Sequence, residues 1–228
     1  MVPVEIIDRI PFDLDVPGMM ATLKVPAESE DEAAFNDLAA RASEVGRPRI
    51  LYSECFLGDK GEDSVAVGNV VFRSRTLRKN LDAVDKVFPH IISCGPEFDA
   101  IPLPPDDALQ EYWRDCIKEV ALRAAMNLFH SVLARKHGVR KTAAMNPGSG
   151  PADTWPIRQQ KELFSLFGDV EAAIGVRLTE SFLMIPNKTV SGLVFPTESD
   201  FTTCSLCPRD VCRNRRAPYD QKKAESFK

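Results

Sequence analysis

The chain has 228 residues, 44% of them hydrophobic and 27% charged, which suits one sizeable globular domain or a domain with a small appendage. No apolar run reaches the roughly 20 residues of a membrane helix, and Met1-Val-Pro-Val-Glu lacks a basic segment followed by an apolar core, so a cytoplasmic protein with reduced thiols is expected. A net charge of −4 argues against a nucleic-acid binder, although Arg209, Arg213, Arg215 and Arg216 form a local basic crowd.

Val4 to Ile10 reads as a first strand, ended by Pro11. Glu30 to Val45 places Phe35, Leu38, Ala39, Ala42 and Val45 at helical spacing, with Gly46 and Pro48 as stops. Arg49 to Leu57 and Val65 to Phe72 read as two strands of a hairpin around Gly58–Asp63. Arg75 to Val87 fits an amphipathic helix, and His90 to Cys94 a short buried strand stopped by Gly95-Pro96. The longest helical signal runs from Asp106 to Lys136, with an apolar stripe at Leu109, Trp113, Cys116, Val120, Ala124, Leu128 and Val132. Its acidic start and basic end complement the helix dipole. A loop from Met145 to Trp155 follows, and Pro156 opens a further helix that Gly168 breaks. Arg177 to Met184 and Thr189 to Phe195 are expected strands, and everything beyond Pro196 reads as loop and tail.

About six strands and about four helices without regular alternation predict an α+β fold, a mixed or antiparallel sheet with flanking helices. The expected division is a domain over 1–200, a cysteine-rich metal-binding tail over 201–217 and a polar end over 218–228.

Three of the six cysteines, Cys204, Cys207 and Cys212, have the spacing C-x2-C-x4-C. Two thiolates three residues apart can share one ion, and the chain can return with a third. Soft or borderline metals take such ligands, zinc in closed tetrahedral sites or iron in clusters, and both generally need four. Cys94, at a strand end before a turn, is the first choice for the fourth ligand, ahead of Cys55 and of His90, His130 and His137. Cys116 falls on the helical stripe and reads as core. Arg209 and Arg213 would offset the charge of a tetrathiolate centre. A 4Fe-4S cluster is the favoured reading and structural zinc the alternative.

Asn146-Pro147-Gly148-Ser149 lies between two helical signals. Glycine there lets a ligand approach the backbone, and the helix start at Pro156 carries free amides suited to an anion. Lys188 and Ser191 lie on the strand pair that follows.

Asn146-Pro-Gly-Ser149, the helix after it, and Ile174-Gly-Val-Arg-Leu-Thr-Glu-Ser-Phe-Leu-Met-Ile-Pro-Asn-Lys-Thr-Val-Ser-Gly-Leu-Val-Phe195 together resemble the activation domain of cobalamin-dependent methionine synthase. That domain has a proline–glycine loop, an I-G-x-x-L-T-E-S-F-x-M-x-P segment and a V-S-G-x-x-F strand in this order. The resemblance implies the α+β fold of that domain, a site for S-adenosylmethionine at Asn146, Pro147, Gly148 and Ser149, and a partner that carries cobalamin. The family loop reads Arg-Pro-x-Pro-Gly-Tyr. Its arginine position falls at Ala144 and its tyrosine position at Ser149, so Lys141 or Arg140 would have to replace the arginine. The cysteine run is a second departure, and suggests a built-in relay for the electron that the family takes from outside. The function so implied is reductive activation or maintenance of a corrinoid-dependent methyltransferase or methionine synthase, by electron transfer through an iron–sulfur cluster and with S-adenosylmethionine as a second ligand. The competing reading is a non-catalytic binding module stapled by structural zinc. No P-loop, serine–histidine–acid set or paired carboxylates point to a hydrolase.

Overall fold

The computed structural model describes residues 3–212 and 215–227; Arg213 lies outside them. In chain order the elements are β1 (Val4–Ile7), α1 (Val16–Leu23), α2 (Glu30–Val45), β2 (Arg49–Ser53), β3 (Cys55–Lys60), β4 (Ser64–Val67), β5 (Val70–Arg73), α3 (Arg75–Asn80), β6 (Lys86–Ser93), α4 (Ala108–Lys136), β7 (Thr142–Met145), α5 (Gln160–Ser165), α6 (Val170–Ile174), β8 (Arg177–Leu178), β9 (Met184–Ile185), β10 (Thr189–Pro196) and α7 (Gln221–Ser226). All the strand pairings are antiparallel. The fold is α+β, as the element mixture predicts.

The sheet is organised around β6. On one side it pairs with β2 and, further toward its own start, with β3. On the other it pairs with β10, which in turn pairs with β7. Pro89 sits inside this central strand, where a missing N–H would normally break a ladder. Strand parity explains the exception. Cys94 N–H bonds the Lys188 carbonyl across the β10 side, whereas Asp85 C=O accepts from Leu57 N–H on the other. Odd-numbered residues of β6 therefore turn their backbone groups toward β2 and β3. Pro89 falls between the last β2 pair, Tyr52↔His90, and the first β3 pair, Cys55↔Val87. No ladder bond is required of it there.

Alternation divides the core in two. Ile50, Tyr52, Phe88, Ile92, Cys94 and Val194 face α2 and α4, against Phe35, Leu38, Trp113, Ile117 and Phe129. Leu51, Val87, Ile91, Leu193 and Phe195 face the other way, against Trp155, Leu163, Val170 and Ile174. The segment after Pro196 completes that second core with Phe201, Leu206 and Ala224. The tail is thus packed on the same core as residues 1–200, and Asp220 N–H bonds the Ser205 carbonyl to tie its two parts together.

Several elements differ from expectation for identifiable reasons. Helix α3 stops at Asn80, because Lys86 and Val87 are claimed by the central strand. The strand expected over Val65–Phe72 is a hairpin of its own, turned at Gly68 with φ of 57°. Arg177–Met184 is not one strand, since Phe182 adopts φ of 62° and the segment folds on itself as β8 and β9. Helix α4 buries Trp113, Ile117, Ala121, Ala125, Phe129 and Leu133, while Leu109 is exposed and Cys116 only half-buried. Apolar residues occur on several sides of α4, and the sheet selects the stripe that α4 buries.

Candidate functional site

The ladder between β10 and β7 begins at Leu193↔Met145 and runs toward Pro196. The earlier part of β10, Thr189 to Gly192, has no β7 partner. The chain leaves β7 at Asn146, whose side-chain amide donates to the Ser191 carbonyl (2.6 Å) and stands in for the next rung. Gly192 makes this approach feasible, because a Cβ there would lie 2.3 Å from the Met145 carbonyl oxygen and 2.5 Å from the Asn146 amide nitrogen.

The loop after Asn146 closes through Ser149 N–H to the Asn146 carbonyl (3.0 Å) and Gly148 N–H to the Trp155 carbonyl (2.8 Å). Trp155 is fully buried, edge-on to Phe72 at 5.4 Å. Gly148, at φ of 81°, is pressed against Ile157. Ser191 Oγ donates to Gln160 Oε1 (2.6 Å), which fixes α5 against the strand.

These elements enclose a cavity of about 490 Å³, within the range of small-molecule sites. Its wall takes His90 and Ile92 from β6, Met126, Phe129 and His130 from α4, Asn146, Pro147 and Ser149 from the loop, and Gln160 and Ser191. Thr202, Thr203 and Arg216 close it from the tail. Of the four expected loop residues, the structure puts Asn146, Pro147 and Ser149 on the wall and Gly148 behind it. Lys188 instead faces Glu119 of α4 at 3.7 Å. Pro156 is followed by a 3-10 turn, Ile157–Gln159, and not by a long helix, so the anion site expected at a helix start there is not formed. Lys141 is engaged by Asp200 (3.0 Å) and the Glu198 carbonyl (2.6 Å), and neither it nor Arg140 lines the cavity.

The cavity floor is kept neutral by desolvation. Burial pushes His90 down to about 4, against a smaller opposing effect of the Phe88 carbonyl. Burial also lowers His130, and the Arg216 charge adds to it. Both imidazoles are therefore uncharged near neutral pH and offer one donor and one acceptor each.

The structure does not gather the expected metal ligands. Among the described residues no three cysteine, histidine or carboxylate side chains form a group that could hold a metal ion. Cys94 shares its parity with Ile92 and lies fully buried in the α2–α4 core, its thiol on the Gly95 carbonyl (3.4 Å). The cysteine run packs through Leu206 into the core on the opposite face. Burial pushes the Cys94 thiol up to about 12 and the Cys55 thiol up to about 11, so neither offers a ready thiolate. Cys204 is different. Partial burial raises its thiol, but the Arg216 backbone, the Thr202 hydroxyl and the Arg216 charge together bring it below the usual value. Cys207 is half-buried and Cys212 exposed. The Arg215 guanidinium ties the run together, bonding the carbonyls of Cys204 (3.4 Å), Cys207 (3.3 Å) and Arg209.

Sequence reasoning does not point to His90, His130, Gln160 or Arg216 as cleft residues. His90 shares strand parity with Ile92, but the rest are brought in by α4, α5 and the tail, with no local signal.

A family model described as vitamin B12 dependent methionine synthase, activation domain, matches residues 139–217. This span contains the loop, β10 and the cysteine run, and extends the resemblance beyond Phe195. No curated protein matches the chain. Among solved structures, a crystal structure of the MetH reactivation domain bound to AdoHcy superposes with a TM-score of 0.55 at 15% identity, covering 89% of this chain and 81% of that one. The chain resembles the activation domain in sequence over 139–217 and shares its fold.

Proposed function

We propose that this protein is a corrinoid-reactivation module that holds an adenosyl amino acid in the cleft between β10, α4 and the Asn146–Ser149 loop. The observation that carries the reading is the coincidence of this cavity with the segment that resembles the activation domain. Asn146, Ser149, Gln160 and Ser191 supply donors and acceptors for a nucleoside, and Phe129 and Met126 an apolar surface. The bound sulfonium would supply a methyl group to the reduced cobalt of a corrinoid carried by a partner methyltransferase or methionine synthase.

Calorimetry of the full chain with S-adenosylhomocysteine and S-adenosylmethionine tests this. Binding of both is expected. No carboxylate is found among the described lining residues, so the uncharged thioether is expected to bind at least as tightly as the sulfonium. Absence of binding by either compound would overturn the adenosyl reading.

The cysteine run carries a second part of the proposal. Cys204, Cys207 and Cys212 supply three thiolates for a metal centre, an iron–sulfur cluster in a reducing, cytoplasmic setting, at the rim of the cleft. What supports it is the spacing, the lowered Cys204 thiol and the proximity of Thr202, Thr203 and Arg216 to the cavity. The arrangement in this structure fits a four-thiolate centre with Cys94 poorly, and metal binding would have to draw the three thiols together. Iron and acid-labile sulfide in anaerobically purified protein, lost in Cys204→Ser and retained in Cys94→Ser, are the expected result. Stoichiometric zinc without iron would instead support the structural staple.

A further inference from the structure

The cleft has an unusual charge balance. Among its described lining residues there is no carboxylate, and Arg216 is the single formal cation. No carboxylate lies in ion-pair range of Arg216 among the described residues. Its neighbours include the Cys204 thiol and the His130 ring. The adjacent Arg215 clamps the carbonyls of Cys204 and Cys207 and, at 3.2 Å, that of Ala217. Arg215 thereby fixes the backbone on either side of Arg216. On the loop side, Gly150 packs so tightly against the tail that a Cβ would stand 2.7 Å from the Thr203 methyl. The tail is held against the cleft from both sides, and Arg216 is presented at its mouth.

The loop position Ala144, where the resemblance would put an arginine, lines the same cavity with only a methyl group. Among the described lining residues, a ligand with an anionic end has one cation available to it, and that cation comes from the C-terminal segment.

We propose that Arg216 is the anion-binding residue of the cleft, pairing with the carboxylate of the bound adenosyl amino acid. The inference rests on the adenosyl reading above and adds the residue that selects for the amino-acid end. A planar guanidinium meets a carboxylate through two parallel hydrogen bonds, a geometry that a flexible lysine does not reproduce. The ligand carboxylate would take its place beside the guanidinium next to the Cys204 thiol.

Two nucleosides separate the inference from its premise. S-adenosylhomocysteine carries the carboxylate, and 5′-methylthioadenosine lacks the amino-acid end. In calorimetry on the full chain, Arg216→Ala is expected to weaken S-adenosylhomocysteine about 10- to 100-fold. It should leave 5′-methylthioadenosine unchanged, and Arg216→Lys should recover only part of the loss. Because Arg216 is exposed, the variant should keep the fold, which an unaltered thermal melt would verify. Equal S-adenosylhomocysteine affinity in wild type and Arg216→Ala would overturn the proposal while leaving the adenosyl site standing. Equal weakening of both nucleosides would also overturn it, since Arg216 would then act on the cleft as a whole. If the wild type binds neither nucleoside, the adenosyl reading fails and the proposal fails with it.

Discussion

Gly192→Ala is expected to lower stability by roughly 3 kcal/mol and to abolish nucleoside binding, although alanine adds only one methyl group. The methyl would have to occupy space 2.3 Å from a backbone carbonyl oxygen of β7, and backbone cannot swing aside as the end of a side chain can. Relief requires β7 to move away from β10. That strains the Leu193↔Met145 pair and displaces the Asn146 amide from the Ser191 carbonyl. Loss of stability and loss of binding therefore have one cause. Gly138→Ala is the control. Its Cβ meets nothing within 4 Å, so only its φ of 70° is unfavourable, at a cost of about 1–2 kcal/mol. Urea melts and calorimetry on the two variants check the expectation. A Gly192→Ala protein that melts and binds like wild type would show that the two strands do not need this contact.

The second large effect is on pH. His90 is 4% exposed, and burial holds it at about 4, below its ordinary value. In the unfolded chain the imidazole titrates near 6.5, at its usual value. Above that pH both states are neutral there and the full stability is present. As pH falls from about 6.5 toward 4, the unfolded chain takes up a proton that the folded protein refuses, so stability is lost on acidification. The loss is about 2–3 kcal/mol between pH 7.5 and 4.5, since a tenfold difference in proton affinity between the two states is worth about 1.4 kcal/mol. Denaturation of wild type and His90→Gln at both pH values isolates the contribution, because other titrating groups cancel in the comparison. The variant should lose less stability on acidification by that amount. Identical slopes would mean that His90 is solvated in the folded protein.

The halves of the site differ in how plainly the chain declares them. The Asn-Pro-Gly loop and the Val-Ser-Gly strand are local signals, in which turn chemistry and a glycine inside a strand each mark close backbone approach. Their partnership across the β7–β10 junction is tertiary. Thr142 to Met145 is too short and too alanine-rich to stand out as a strand. The central strand is obscured by Pro89, which looks like a breaker until the neighbouring strands are known to change over beside it. Cys94 misleads because a cysteine before Gly-Pro resembles a ligand on a turn. Only strand parity, fixed by the Cys94–Lys188 bond, shows that its side chain enters the core away from the other three. Arg216 carries no signal beyond its basic neighbourhood, and its place is set by Arg215 and by the packing of Gly150 on Thr203.

The packing of Phe201, Leu206 and Ala224 into the core beneath β10 bears on where this protein can be cut. An expression boundary at residue 200, which the shift in composition invites, would strip the lid from that side of the sheet. The shortened product would carry an oily scar beside an open-ended groove. The stretch from 201 onward is better treated as a closing clasp than as a removable tag, and fusions belong beyond it.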